Sequence, residues 1–255
     1  MSLQLPAAAL GVIRPQWPVP PRVQAAFTLR GGGVSTGPYA SLNVGAHVGD
    51  GVEAVSENRR RVCAHLALPG PPAWVEQVHG IDVLELDGAG HTEAARQPAD
   101  AVIARRPGTV CVIQVADCMP VLFAAADGSA VAATHAGWRG LAAGVLEATV
   151  TRLGLDPGVL AAWMGPAIGA GHFEVGAEVR AAFVERDAAA ASAFVLNGRG
   201  RWQCDLAALA RQRLSTLGVG AVAGGHWCTY ADPQRFFSYR RDGQCGRMAA
   251  LIWLG

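Results

Sequence analysis

The sequence predicts an α+β protein with mixed sheets, and three observations carry that prediction. Apolar runs of strand length recur through the chain, from residues 23–28 to its last residues. Between them lie stretches with the apolar spacing of helices, closed by glycine or by Pro-Gly. The two kinds interleave without the regular period of βαβ units, so a Rossmann-type sheet is not expected.

At 255 residues, 51% hydrophobic and 16% charged, the chain can bury a substantial core, and one large domain accounts for it. The formal net charge of +1 argues against a nucleic-acid partner, although every cation is an arginine. No run of about 18 uncharged apolar residues occurs. The strongest candidate, 110–126, is broken by Gln114 and Asp117, so no membrane span is expected. The opening M-S-L-Q-L-P lacks the basic start and cleavage pattern of a secretory signal, and a cytoplasmic location is expected. Six cysteines without a C-x-x-C pair read as free thiols.

Residues 1–22 contain Pro6, Pro15, Pro18, Pro20 and Pro21, so the segment is expected to run extended along the surface before a strand at 23–28. The glycine-rich loop R-G-G-G-V-S-T-G-P-Y lacks the Lys-Ser/Thr pair of a phosphate-binding loop and reads as a tight surface loop. Residues 41–50 read as a strand or an ordered loop carrying Asn43 and His47. The spacing of Val55, Val62 and Leu66 predicts a helix over 52–68, stopped by Pro69-Gly70. Arg59, Arg60 and Arg61 point in different directions on it, and the usual role of such arginines is a solvated face.

Strands are expected at 73–78 and 81–86, around His79-Gly80, and at 100–104 and 110–115. A helix over 141–153 follows G-W-R-G and ends at Gly154; its N-terminus can hold an anion, with Arg139 beside it. A strand at 161–164 and helices over 175–187 and 206–217 come next. In the last segment Asp242-Gly243 suggests a hairpin turn between apolar runs.

The chemistry concentrates in A-D-C-M-P-V-L-F-A-A-A-D-G-S-A-V-A-A-T-H-A-G-W-R-G, residues 116–140. Two apolar runs flank Asp127-Gly128, a dipeptide that favours a two-residue hairpin loop. If those residues form the loop, paired positions sum to 255. Residue 120 then faces His135, and Cys118 lies diagonal to His135 on the same face, about 7–8 Å away between Cα atoms. A thiolate and an imidazole so placed suit zinc. His79, at the end of a strand-like run and followed by Gly80, is the best candidate for a third ligand. The bland reading is that Cys118 is a small buried hydrophobe and His135 a satisfied polar residue.

The motifs R-G-G-G-V-S-T-G-P-Y, S-L-N-V-G-A-H-V-G-D, E-N-R-R, Q-V-H-G, A-D-C-M-P-V-L, H-A-G-W-R-G, G-P-A-I-G with F-E-V-G, C-T-Y and F-F-S-Y-R-R-D-G with G-R-M-A resemble those of the YfiH-type, or laccase-domain, family. The resemblance covers nearly the whole chain. It implies a single catalytic domain over 23–255, with a four-layer α/β/β/α fold like that of the cytotoxic-necrotizing-factor catalytic domain. It also implies zinc held by His79, Cys118 and His135. Family members are described as purine nucleoside phosphorylases with adenosine deaminase activity, copper polyphenol oxidases and peptidoglycan editing factors.

A zinc-dependent purine nucleoside enzyme is the reading adopted, with phosphorolysis of adenosine, inosine or methylthioadenosine and deamination of adenosine as its reactions. Copper is the alternative metal, but oxidase chemistry needs several coppers, whereas the sequence offers one Cys/His₂ group. Cys118, His135 and Arg59 are the candidate catalytic residues. Arg59 and Arg139 are expected to hold phosphate, and Asn43 to contact the nucleoside. Asp117 either orients a ligand or forms a turn, while fold support is the simpler role for His47, Thr229, Arg240 and Arg241. Leu29 replaces a commoner hydroxyl-bearing residue before the arginine, which puts a substrate role at that position in doubt. A peptidoglycan editing hydrolase acting on a muropeptide precursor, with Cys118 as nucleophile, is the second reading.

Overall fold

The computed structural model describes residues 10–86 and 97–255. Part of the segment expected to run extended, residues 1–9 with Pro6, lies outside the described residues.

In chain order the strands are β1 (Val12–Ile13), β2 (Val23–Thr28), β3 (Pro72–Ala73), β4 (Val83–Glu85), β5 (Ala101–Ala104), β6 (Val110–Val115) and β7 (Met119–Ala125). They continue with β8 (Val131–Ala136), β9 (Leu160–Met164), β10 (Glu174–Val175), β11 (Phe194–Leu196), β12 (Trp202–Cys204), β13 (Ala221–Gly224) and β14 (Met248–Leu254). The helices are α1 (Val52–Leu66), α2 (Trp138–Ala143), α3 (Val145–Leu153), α4 (Ala177–Val184), α5 (Leu206–Thr216) and α6 (Tyr239–Asp242).

Two mixed sheets form the centre, with strand orders β1-β2-β14-β6-β3 and β13-β9-β7-β8-β5-β4, beside a small sheet β10-β12-β11. Side-chain alternation sorts them into layers. In β6, Val110 and Val112 pack with Val62 and Leu66 of α1, whereas Cys111, Ile113 and Val115 turn toward the other sheet. In β7, Leu122 and Ala124 meet that inter-sheet core, while Val121 and Phe123 face Leu146 of α3, Phe183 of α4 and Leu209 of α5. The order is therefore helix, sheet, sheet, helices, the four-layer arrangement that the family resemblance implies.

Strands with both faces covered read as near-continuous apolar runs, and that is why β6, interrupted only by Gln114, and β7 are so plain in the sequence. Two crossings between the central sheets, both from the five-stranded to the six-stranded one, carry the candidate donor residues. Residues between β3 and β4 cross from the five-stranded to the six-stranded sheet, and so do Ala116, Asp117 and Cys118 between β6 and β7.

Several expectations are corrected. The region 73–78 is not one strand: pairing is confined to β3 and an isolated bridge between Glu76 and Pro98. The helix expected over 141–153 starts earlier, at Trp138, and breaks at Gly144, whose φ of 105° ends α2 before α3 begins. The G-W-R-G stretch thus belongs to the first turn of a six-residue helix, not to the start of a long one. Asp242-Gly243 is not a hairpin turn either. It ends the short helix α6, capped by Ser238, and β14 alone enters the sheet, between β2 and β6. The six cysteines are free. Among the described residues no helix is long and apolar enough to cross a membrane.

Candidate metal centre

The β7–β8 hairpin places two of the expected ligands. Its pairs are Met119 with Ala136, Pro120 with His135 and Val121 with Thr134, the register expected from the sequence. The loop differs in detail. Ala125 N–H donates to the Ala130 carbonyl, Gly128 takes φ 69°, and Asp127, which is not left-handed, accepts from Ser129 N–H. The register holds all the same, so Cys118 and His135 meet at the open end.

His79 arrives from the crossover between the sheets. Its own backbone, not that of Gly80, is left-handed, with φ 61°. A β-carbon makes that conformation unfavourable by about 1–2 kcal/mol, and Asp100 offsets the cost. The Asp100 carboxylate accepts the N–H groups of Val78, His79 and Gly80 at 3.2, 3.0 and 2.6 Å. Its Oδ1 also lies 2.7 Å from His135 Nδ1. One fully buried carboxylate thus fixes the turn that carries one imidazole and the ring orientation of the other.

The three donor atoms of His79, Cys118 and His135 lie within 4.8 Å of one another, the two rings meeting edge to face at 4.7 Å. Cys118 Sγ is 3.8 Å from His79 Nε2. Gly137 closes one side. A β-carbon there would come within 2.9 Å of Cys118 Sγ and 3.1 Å of His79 Cδ2, and one on Gly140 within 2.9 Å of the Gly80 carbonyl. The spacing of H-A-G-W-R-G therefore follows from packing a helix start directly on the ligands.

Electrostatics match the geometry. Burial opposes ionisation of the Cys118 thiol, yet the His135 and His79 imidazoles outweigh it and bring its pKa down to about 6. For His135, burial disfavours the charged form, but the Cys118 thiolate and Asp100 together raise its pKa to about 9. Burial likewise pushes Asp100 up, and His135 with the turn N–H groups wins, holding the carboxyl below its usual range. The donor set fits a cation that accepts sulfur and nitrogen, and three protein ligands leave a position for another group. Among the described residues this is the one such group of three or more potential ligands.

The ligands open into a cavity of about 530 Å³. Arg139, Arg240, Arg247 and His47 line it, and Asp117 is its one acid among the described residues. Asp117 is occupied elsewhere: at φ 84° it accepts from Thr229 Oγ1, Ser238 Oγ and Arg240 N–H, tying three segments together. The cavity is consequently electropositive. Burial, then Arg247 and Arg59, hold the His47 pKa below its ordinary value.

The remaining site residues separate into two groups. Arg139 lines the cavity, its guanidinium over the Trp138 ring at 4.5 Å. Asn43 and Arg59 do not line it. Asn43 is fully buried and bonds Gly45, Asp50 and the Arg247 N–H. Arg59 donates to the Val44 carbonyl and stacks on Trp74 at 4.0 Å. Thr229 and Arg241 support the fold, Arg241 through the carbonyls of Thr229, Tyr230 and Phe236. Leu29 packs against the inter-sheet core.

Residues 24–255 match the family described as multi-copper polyphenol oxidoreductase laccase. The purine nucleoside phosphorylase YfiH of Escherichia coli (strain K12) is 53% identical over 243 residues, 95% of this chain and 98% of the relative. The chain belongs to the laccase-domain YfiH family. Pseudomonas aeruginosa purine nucleoside phosphorylase PA4543 is 52% identical over an equal length, again 95% of this chain and 98% of the relative. A Neisseria meningitidis crystal structure superposes with a TM-score of 0.89 at 46% identity, covering 95% of this chain and 98% of its own. For YlmD from Geobacillus stearothermophilus the TM-score is 0.83 at 32% identity, with 92% of each chain covered.

In this YfiH-family protein sequence reasoning missed Asp100 and Arg247 as site residues, although Arg247 lies in the motif G-R-M-A. Asp100 opens an apolar strand, where a carboxylate is out of place unless something pairs with it. That mismatch is the one signal that could have found it.

Proposed function

We propose that the protein is a zinc-dependent purine nucleoside enzyme that cleaves adenosine and inosine with phosphate and deaminates adenosine. The observation that carries the reading is the convergence of His79, Cys118 and His135 at an electropositive cavity. Relatives named purine nucleoside phosphorylase, half identical over nearly the full length, support it.

When bound, zinc supplies a Lewis acid that brings the pKa of water to about 7. The chain's own residues do the rest. His135 donates its Nδ1–H to Asp100, which fixes the tautomer and leaves Nε2 free to act as a ligand. Arg139, Arg240 and Arg247 supply positive charge for a phosphate in position to attack C1′ of the ribose. Attack forms the C1′–O bond as the glycosidic bond breaks, and the electron pair leaves with the purine. Ile168, Phe173 and Trp138 give the cavity apolar wall against which a base can pack.

Copper also tolerates one thiolate and two imidazoles, but oxidase chemistry with several coppers needs further ligand groups. A single group among the described residues favours zinc. One observation favours the editing-hydrolase reading instead. Without a cation Cys118 and His135 sit as thiolate and imidazolium at neutral pH, a pairing that suits a nucleophile.

The experiment is a metal analysis coupled to incubation with adenosine, inosine and phosphate. The expected result is about one zinc per chain, with adenine and hypoxanthine released, and no product from His135→Ala. Full activity on a muropeptide by metal-free protein, with an adduct on Cys118, would transfer the case to the hydrolase.

A further inference from the structure

Gln114, the fifth residue of β6, is held at the cavity wall by its main chain alone. Past the short strand β3, the edge of β6 is completed by a side chain. The Gln77 carboxamide donates from Nε2 to the Gln114 carbonyl at 2.8 Å and accepts the Gln114 N–H at Oε1, also at 2.8 Å. Gln77 thereby acts as a stand-in for a neighbouring strand, and both ends of its amide are used.

The Gln114 side chain is the opposite case. It lines the cavity, is 7% exposed, and its Oε1 is buried with no hydrogen-bond partner among the described residues. A buried amide left unpaired is unfavourable, so a partner is expected from the cavity side. No arginine of the lining bonds Oε1 although each could donate to it, and Asp117, which could accept from the amide nitrogen, is already engaged.

We infer that the Gln114 carboxamide reads the 6-position edge of a purine base in the cavity, an inference that rests on the nucleoside reading above. A 6-aminopurine presents N–H donors at that edge, and a 6-oxopurine presents a carbonyl acceptor. Because no protein group holds either end of the carboxamide, a half-turn about its last torsion exchanges donor for acceptor without breaking an internal bond. One residue thus accommodates both adenosine and inosine. A carboxylate at the same position loses that freedom, since it only accepts.

The test compares zinc-loaded wild type, Gln114→Glu and Gln114→Leu, reading kcat/KM for phosphorolysis of adenosine and of inosine. Gln77 grips the main chain at 114, so neither substitution removes that anchor, and zinc content confirms that the site is intact. Gln114→Glu is expected to shift the ratio toward adenosine by roughly tenfold, about the worth of one hydrogen bond. Gln114→Leu is expected to weaken both substrates with the ratio unmoved. An unchanged ratio in a zinc-replete Gln114→Glu enzyme overturns the inference and leaves the nucleoside reading standing. A wild type silent on both nucleosides overturns the two together.

Discussion

Asp100 and His135 are joined through Oδ1 and Nδ1 at 2.7 Å, both essentially without solvent contact. The same carboxylate caps the left-handed turn at His79. Asp100→Asn keeps an acceptor oxygen but loses the charge that orients the ring. Metal affinity is expected to fall about 10–100-fold. Competition with a chelating indicator measures it, and an affinity equal to wild type would show that the carboxylate is dispensable.

Gly137 meets the ligands directly. Gly137→Ala brings a β-carbon to 2.9 Å from Cys118 Sγ, so helix α2 or the thiolate must move. Bound metal per chain is expected to drop while far-ultraviolet circular dichroism keeps its wild-type shape. Full metal occupancy with unchanged affinity would contradict the packing described.

The acid–base state of the ligands gives a pH signature. In metal-free protein the Cys118 thiolate appears as pH rises through about 6, well below the usual thiol range, while His135 keeps its proton up to about 9. A cation needs the thiolate and the neutral imidazole, so loading displaces protons. Cys118 and His135 together are expected to release about one proton per metal at pH 7.5 and none at pH 10. Calorimetry in buffers of different ionisation enthalpy counts them. Alkylation of Cys118 in the metal-free protein should follow the same lower midpoint and be blocked by zinc.

Arginines in and out of the cavity make different predictions. Arg139→Ala and Arg240→Ala remove charge from its lining and are expected to raise the KM for phosphate about five- to tenfold. Arg59→Ala instead removes the bond to Val44 and the stack on Trp74. It is expected to lower stability by about 1–2 kcal/mol, with the phosphate KM unchanged. A large KM effect from Arg59 alone would return it to the substrate-binding role its sequence suggests.

What the sequence revealed, and what it hid, follows from where each contact lies. The placement of His135 opposite Pro120 needs only a hairpin and its turn, which are neighbours in sequence. The layers were hinted at by apolar runs, yet which face of β6 meets α1 depends on a sheet partner more than 130 residues away in β14. Asp100 escaped notice because its partners, His79 and His135, lie 21 and 35 positions off. The break at Gly144 was missed because the apolar spacing continues through it, and only the φ of 105° ends the helix. Arg59 drew attention by residue type, but its direction is set by Trp74 and Val44, which no local pattern announces.

Both crossovers that run from the five-stranded to the six-stranded sheet carry a donor atom: His79 lies on one, Cys118 on the other, and His135 stands in the six-stranded sheet. An ion shared by the three is therefore a rivet through the seam, and its fit gauges the spacing between the slabs. Enlarging Ala133 or Ala250, small residues sandwiched deep between them, would loosen its grip from a distance.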